Sequence, residues 1–175
     1  MQTKFFTALR TLLFFAATLP AVYAQNSDEE AIRKLISNET EMWLDRNAEA
    51  WAASFVHEPY LTWTVTNGGD PGDVVTMRGW EALKGFMMNW FEGETAEFAK
   101  EMRKSKMTND HWNIQIRGNV AFVAFEQRVE NDEKKTKVSS TETRVCEKRD
   151  GAWKIAMQTT LADFKDATPP IRTNY

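Results

Sequence analysis

Hydrophobic positions recur at helical spacing in the first third of the chain and at every second position in its last third. Ile32, Leu35, Ile36, Met42 and Trp43 fall along one stripe of a helix that opens at the capping sequence Ser27-Asp28-Glu29-Glu30 and ends near Asp45. A break at Arg46-Asn47 follows. Asn47 is placed to cap a shorter second helix whose buried positions are Trp51, Ala52 and Phe55. Pro59 bars that helix from continuing and pushes Glu58 toward extended geometry, so 60–66 (YLTWTVT) is expected as a strand. The segment 67–72 (NGGDPG) marks a loop. Gly79 then precedes a third helix with Trp80, Leu83, Met87 and Trp90 at helical spacing, closed by Glu92-Gly93. The polar 94–106 is compatible with a further helix, anchored only by Phe98 and Met102.

From Met107 the period falls toward two. Trp112, Ile114 and Ile116 alternate with Asn113, Gln115 and Arg117, and a Gly118-Asn119 turn leads into a strand over 120–130. A polar turn at 131–135, a strand over 138–148, the tight-turn pair Asp150-Gly151 and a last strand over 152–164 complete an antiparallel meander. Helices in front and a sheet behind make an α+β layout in one domain, 25–164. The tail, 165–175, carries Pro169-Pro170 and reads as a loose terminus.

Composition changes the picture at the N-terminus. Lys4 and Arg10 flank an apolar run, 11–22, and Val22-Tyr23-Ala24 places small residues where a signal peptidase reads. Residues 1–24 are therefore expected to be a signal peptide, and the product periplasmic or secreted. The run falls short of the ~20 residues a spanning helix needs, so no membrane attachment is expected after cleavage. Cleavage leaves 175 − 24 = 151 residues, with 22 − 2 = 20 basic and 25 acidic side chains. An acidic domain of this kind is a poor partner for nucleic acid. Cys146 is alone in the sequence, which excludes an internal disulfide, and it falls in a strand pattern that suits a buried thiol. Asn38-Glu39-Thr40 matches a glycosylation sequon, but it lies within a predicted helix.

Helix, short helix, the strand in FVHEPYLTW, the helix start RGWEALKGF and long hairpins ending in DGAWKIAMQTT resemble, in that order, the nuclear transport factor 2-like or SnoaL-like superfamily across 28–164. Exported bacterial members with a similar aromatic-His-acid-Pro sequence are the most similar. The resemblance implies a cone-shaped, cystatin-like fold in which a curled antiparallel sheet packs on three N-terminal helices. It also implies a pocket between helices and sheet, and often a homodimer. Its members include isomerases, dehydratases, cyclases, epoxide hydrolases and non-catalytic binders, and fold alone does not select among them.

His57, beside Glu58, is the leading acid–base candidate, with Tyr60 or Asp110 assisting as the further catalytic candidates. The competing reading of His57 is a helix C-terminal residue favoured by the dipole. Trp51, Trp63, Trp80, His111, Trp112, Met157 and Thr159 are the candidate ligand contacts, Val145 a further lining residue, and seven tryptophans suffice for an amphipathic wall. A metal centre would need His57, His111, Glu58 and Asp110 to converge, without HxxxH-type spacing to support it, so neither metal nor cofactor is expected. By the resemblance, a steroid-isomerase-like site would need acids where this chain carries Trp63 or Thr62 and Val145, and a Tyr where helix 1 offers Thr40 and Met42. That mechanism is not carried over.

Two charged alternations, Glu126-x-Arg128-x-Glu130 and Glu142-x-Arg144, are expected on the outer face, with Val123, Phe125, Val145, Ile155 and Met157 pointing inward. Phe122 would then add apolar bulk outside, as a covering second copy would require. The expectation is a domain that binds a small, largely apolar molecule in an aromatic pocket. The alternative is an enzyme of the same fold, a dehydratase, isomerase or cyclase, acting through His57.

Overall fold

The computed structural model describes residues 26–66, 74–93 and 96–163. The expected signal peptide, the 67–72 loop and the 165–175 tail lie outside those residues. Helix α1 spans 26–44 and buries Ile32 and Ile36 completely. Its end is set by backbone chemistry: Arg46 takes a left-handed φ of 57°. The Asn47 N–H then reaches the Met42 carbonyl at 2.9 Å and the Arg46 N–H reaches Trp43 at 3.1 Å. This is the paired Schellman closure. Asn47 turns its side chain to the next helix, accepting from the Ala50 N–H at 3.0 Å and capping α2 (Ala48–Ala52).

The chain leaves α2 through Phe55, which bridges Ile155, and Val56 donates to the Ile155 carbonyl at 2.9 Å. Strand β1 (Thr62–Thr66) is followed by β2 (Val74–Arg78), α3 (Trp80–Glu92), α4 (Ala96–Met102) and four long strands. These are β3 (Lys106–Arg117), β4 (Val120–Asn131), β5 (Thr136–Arg149) and β6 (Ala152–Asp163). Gly79 opens α3 at φ 82°, and a side chain there would meet the Pro59 carbonyl oxygen at 3.3 Å, so glycine is required twice over. Asp150 and Gly151, at φ 49° and 81°, make the tight turn that their sequence predicts. Among the described residues no helix is long and apolar enough to cross a membrane.

The α+β fold class holds, with one refinement. The six strands lie in the order β2-β1-β6-β5-β4-β3 as a curled, unclosed sheet. The sheet is mixed: β1 runs parallel to β6, pairing Trp63 with Gln158, and antiparallel to β2. Strand β2 was not expected. Its Val75 and Met77 are half-buried between exposed Val74, Thr76 and Arg78, a two-residue alternation only five residues long beside a strong loop signal.

The helices cover the inner face of the sheet, and that face differs from expectation. Val123, Phe125 and Ile155 point inward as predicted. Val145 and Met157 do not: they pair with each other and, through Val145, with the exposed Phe122. Between Val145/Met157 and Cys146/Ile155 the register gains one residue, Ala156, on β6. That bulge flips the alternation on β6, while on β5 the register with β4 decides the face, pairing inward Val123 with Arg144 and Phe125 with Glu142. Counting by twos from Ile155 selects Met157 and Thr159, whereas the strand actually turns Gln158 and Thr160 inward. On β5 the inward residues are Glu142, Arg144 and Cys146, all buried.

Candidate functional site

Glu142 and Arg144 were expected outside; instead they stand at the centre of the covered face, with side chains 2 % and 4 % exposed. Arg144 Nη1 donates to Glu142 Oε2 at 2.8 Å. The same carboxylate accepts from Thr160 Oγ1 at 2.7 Å, and its other oxygen accepts from Ser140 Oγ at 2.6 Å. Arg144 also donates to the Thr159 carbonyl at 3.3 Å, and its guanidinium lies 5.6 Å from the centre of the Phe125 ring. Gln158, with its amide oxygen turned toward them, accepts from Arg144 Nη2 at 3.2 Å and from Trp63 Nε1 at 3.1 Å. Ion pair, hydroxyls, amide and indole thus form one connected network in the interior.

A second acid meets this network from the helical side. Glu39 of α1 is buried and accepts from Trp51 Nε1 at 2.8 Å. Burial pushes its pKa above the ordinary carboxylate range; the charge of Arg144 and the Trp51 hydrogen bond oppose that push, and the charge of Glu142 adds to it. The arrangement therefore contains one carboxylate paired with arginine and one carboxyl held toward its neutral form. Two like groups in unlike settings are what acid–base chemistry uses. They also serve to recognise a polar group, because a neutral acid donates a hydrogen bond that a carboxylate cannot.

The sequence contained a signal for Glu39 that went unused. It sits on the stripe of Ile32, Ile36 and Trp43, at i+7 and i+3 from the two isoleucines, so the helix must bury it. Glu142 and Arg144 carried a weaker signal: they share a face with Cys146, the residue best suited to burial in that strand.

The predicted residues are found in several places. Trp51 and Trp63 both touch the network, through Glu39 and Gln158. Trp51 also packs on Phe55, Phe91 and Trp80, and Trp63 lies near Phe86. Trp112 stacks on Phe125 at 4.4 Å with Arg33 over its ring at 4.7 Å, so it reaches the network through one intervening ring. Trp80 stacks flat on His57 at 3.9 Å. Met157 and Thr159 lie on the outer face for the reason of register given above.

The three catalytic candidates stand apart. His57 is exposed, and its Nε2 lies 3.0 Å from the Ala52 carbonyl, closing the end of α2. Tyr60 is half exposed and donates to Glu147 at 2.9 Å, with Arg149 against its hydroxyl. Asp110 and His111 sit on the outer face with Glu126 and Arg128. Glu126 pairs with Thr141 on β5, six positions from Glu147, or roughly 20 Å along the strand. His57 and His111 have separate partners, so the metal centre considered from sequence does not assemble around both.

No protein-family model matches the sequence, and no functionally described protein matches it. Solved structures do. An NTF2-like protein with a cystatin-like fold from Novosphingobium aromaticivorans is 17% identical, covers 86% of this chain and 92% of its own, and gives a TM-score of 0.63. A Shewanella frigidimarina protein, named provisionally as a ketosteroid isomerase, is 17% identical over 74% of this chain and 94% of its own, with a TM-score of 0.53. A Novosphingobium aromaticivorans protein named provisionally as scytalone dehydratase is 16% identical, covers 85% and 95%, and gives 0.54. The chain has the NTF2-like, cystatin-like fold.

Proposed function

We propose that this domain binds a small, largely apolar molecule against the inner face of its sheet, with one polar group of that molecule meeting Glu39 and the Arg144–Glu142 pair. The carrying observation is the buried network itself. Desolvating an ion pair and a further acid costs several kcal/mol in a core that apolar side chains would fill more cheaply. A buried acid whose pKa is raised by burial beside a charged pair is a candidate functional group. Trp51, Trp63 and Phe125 supply flat apolar surface beside the polar centre. In this reading the protein is exported after loss of residues 1–24 and works as a homodimer through the part of the outer face where Phe122 is exposed, four residues along β4 from Glu126.

Native mass spectrometry of protein purified from its source tests the reading. The expected result is a dimer carrying a small extra mass, which Glu39→Gln weakens without unfolding the domain. A preparation free of any such mass, and unshifted in melting temperature by panels of small ketones, carboxylic acids and phenols, would remove it. A second reading, catalysis, is favoured by the upward shift of Glu39 and is in keeping with the isomerase and dehydratase names of two fold neighbours. It moves the acid–base role from His57 to Glu39. Turnover of the identified ligand that survives Glu39→Gln but not His57→Ala would reverse that assignment.

A further inference from the structure

On the opposite face of the sheet, three metal-binding side chains from two strands meet around a backbone irregularity. Asp110 pairs with Glu126 across β3 and β4, and the register resumes only at Asn113 opposite Ala124. One extra residue is therefore inserted in β3, at the edge of the sheet. Successive residues of a regular strand face opposite ways. Here His111 takes a left-handed φ of 52°, uncommon for a residue with a side chain, and both Asp110 and His111 reach the outer face. An edge bulge by itself protects a sheet from unwanted pairing. That role explains the insertion, but not why the inserted residue is a histidine facing two carboxylates.

The imidazole stands between the two carboxylates at distances near those around a bound ion. His111 Nδ1 lies 3.0 Å from Asp110 Oδ1 and 3.0 Å from Glu126 Oε2. All three donor atoms fall within 4.8 Å of one another. A tetrahedral Zn2+ with bonds of about 2.0–2.2 Å separates neighbouring donors by roughly 3.3–3.6 Å, so His111 need move only a few tenths of an ångström from each acid, while rotation of exposed Glu126 brings the two carboxylate oxygens, now within 4.8 Å, to that spacing. Arg128 approaches the far oxygen of Asp110 at 3.4 Å and Glu126 at 3.6 Å. It orients both carboxylates, as the second layer around ligating acids commonly does. One imidazole nitrogen and two carboxylate oxygens suit Zn2+, with a fourth position left to water.

We propose that Asp110, His111 and Glu126 form a Zn2+ site on the outer face of the sheet, separate from the buried network. Isothermal titration of the chelator-treated full chain with ZnCl2 at pH 7.5 tests it. The expected result is one Zn2+ per chain, weakened at least tenfold by His111→Ala and by Glu126→Gln, and unchanged by His57→Ala, which removes the chain's other histidine. Equal melting temperatures of the metal-free variants would show that they remain folded, and Asp110→Asn gives an independent variant should either fail. No binding by the wild type at millimolar ZnCl2, or undiminished binding by a folded His111→Ala protein, would overturn the proposal.

Discussion

Two clusters of the same residue types sit on the two faces of one sheet, in opposite physical circumstances. Inside, Glu142 and Arg144 are 2 % and 4 % exposed, their polar atoms held by Ser140, Thr160 and Gln158, with Glu39 close enough to feel both charges. Outside, Arg128, Asp110 and Glu126 are 36 %, 40 % and 48 % exposed. Water screens the outer cluster, so its members contribute little to stability and remain free to rearrange around a ligand. The inner cluster has given up water and must be fully satisfied by protein, so each member depends on the others. Burial, not charge, separates the two roles.

The largest effect is expected from breaking the inner pair. Arg144→Met leaves the buried Glu142 carboxyl without its ion-pair partner, and should cost about 3–5 kcal/mol in urea unfolding. The matching outer change, Arg128→Met, should cost less than about 1 kcal/mol. Equal costs would remove the distinction between the faces.

Glu39→Gln sharpens the contrast through pH. Unfolded, Glu39 titrates in the ordinary carboxylate range; folded, burial pushes it higher, so the native state keeps its proton to higher pH. Its contribution to stability is complete below the unfolded value and is lost as pH rises through the folded one. The Gln variant lacks that loss. Melting curves at a series of pH values should show the wild type falling away from Glu39→Gln as pH rises above the ordinary carboxylate range. Parallel curves would mean that burial does not raise the Glu39 pKa.

Cys146 gives a smaller test without mutation. Burial between Arg144 and the core pushes its thiol up to about 12. Iodoacetamide at pH 8 should leave it unmodified in the native protein and alkylate it in urea. Rapid native labelling would show that the inner face opens to solvent.

Helices, caps and turns were legible because their causes are local. Asn47, Gly79 and Asp150-Gly151 act within a few residues, and the structure uses each as its chemistry predicts. The parallel pairing of β1 with β6 was not legible, since it joins Trp63 to Gln158 across most of the domain. The site was missed for a sharper reason. One inserted residue at Ala156 exchanges the faces of β6, so Met157 and Thr159 were read in place of Gln158 and Thr160. Glu39 was hidden by its type: a charged residue on an apolar stripe reads as an interruption of the pattern rather than as a buried position. His57 drew attention because imidazole titrates near neutrality, yet its ring serves α2 and Trp80.

Burial beside the Arg144–Glu142 pair holds the Glu39 carboxyl above the ordinary carboxylate range. Titrating the Glu39 side-chain carboxyl by carbon-13 NMR, with Glu39→Gln identifying its resonance, tests this most directly. The expected midpoint lies clearly above those of exposed glutamates such as Glu81 and Glu97 in the same spectra. A midpoint at or below theirs would contradict it.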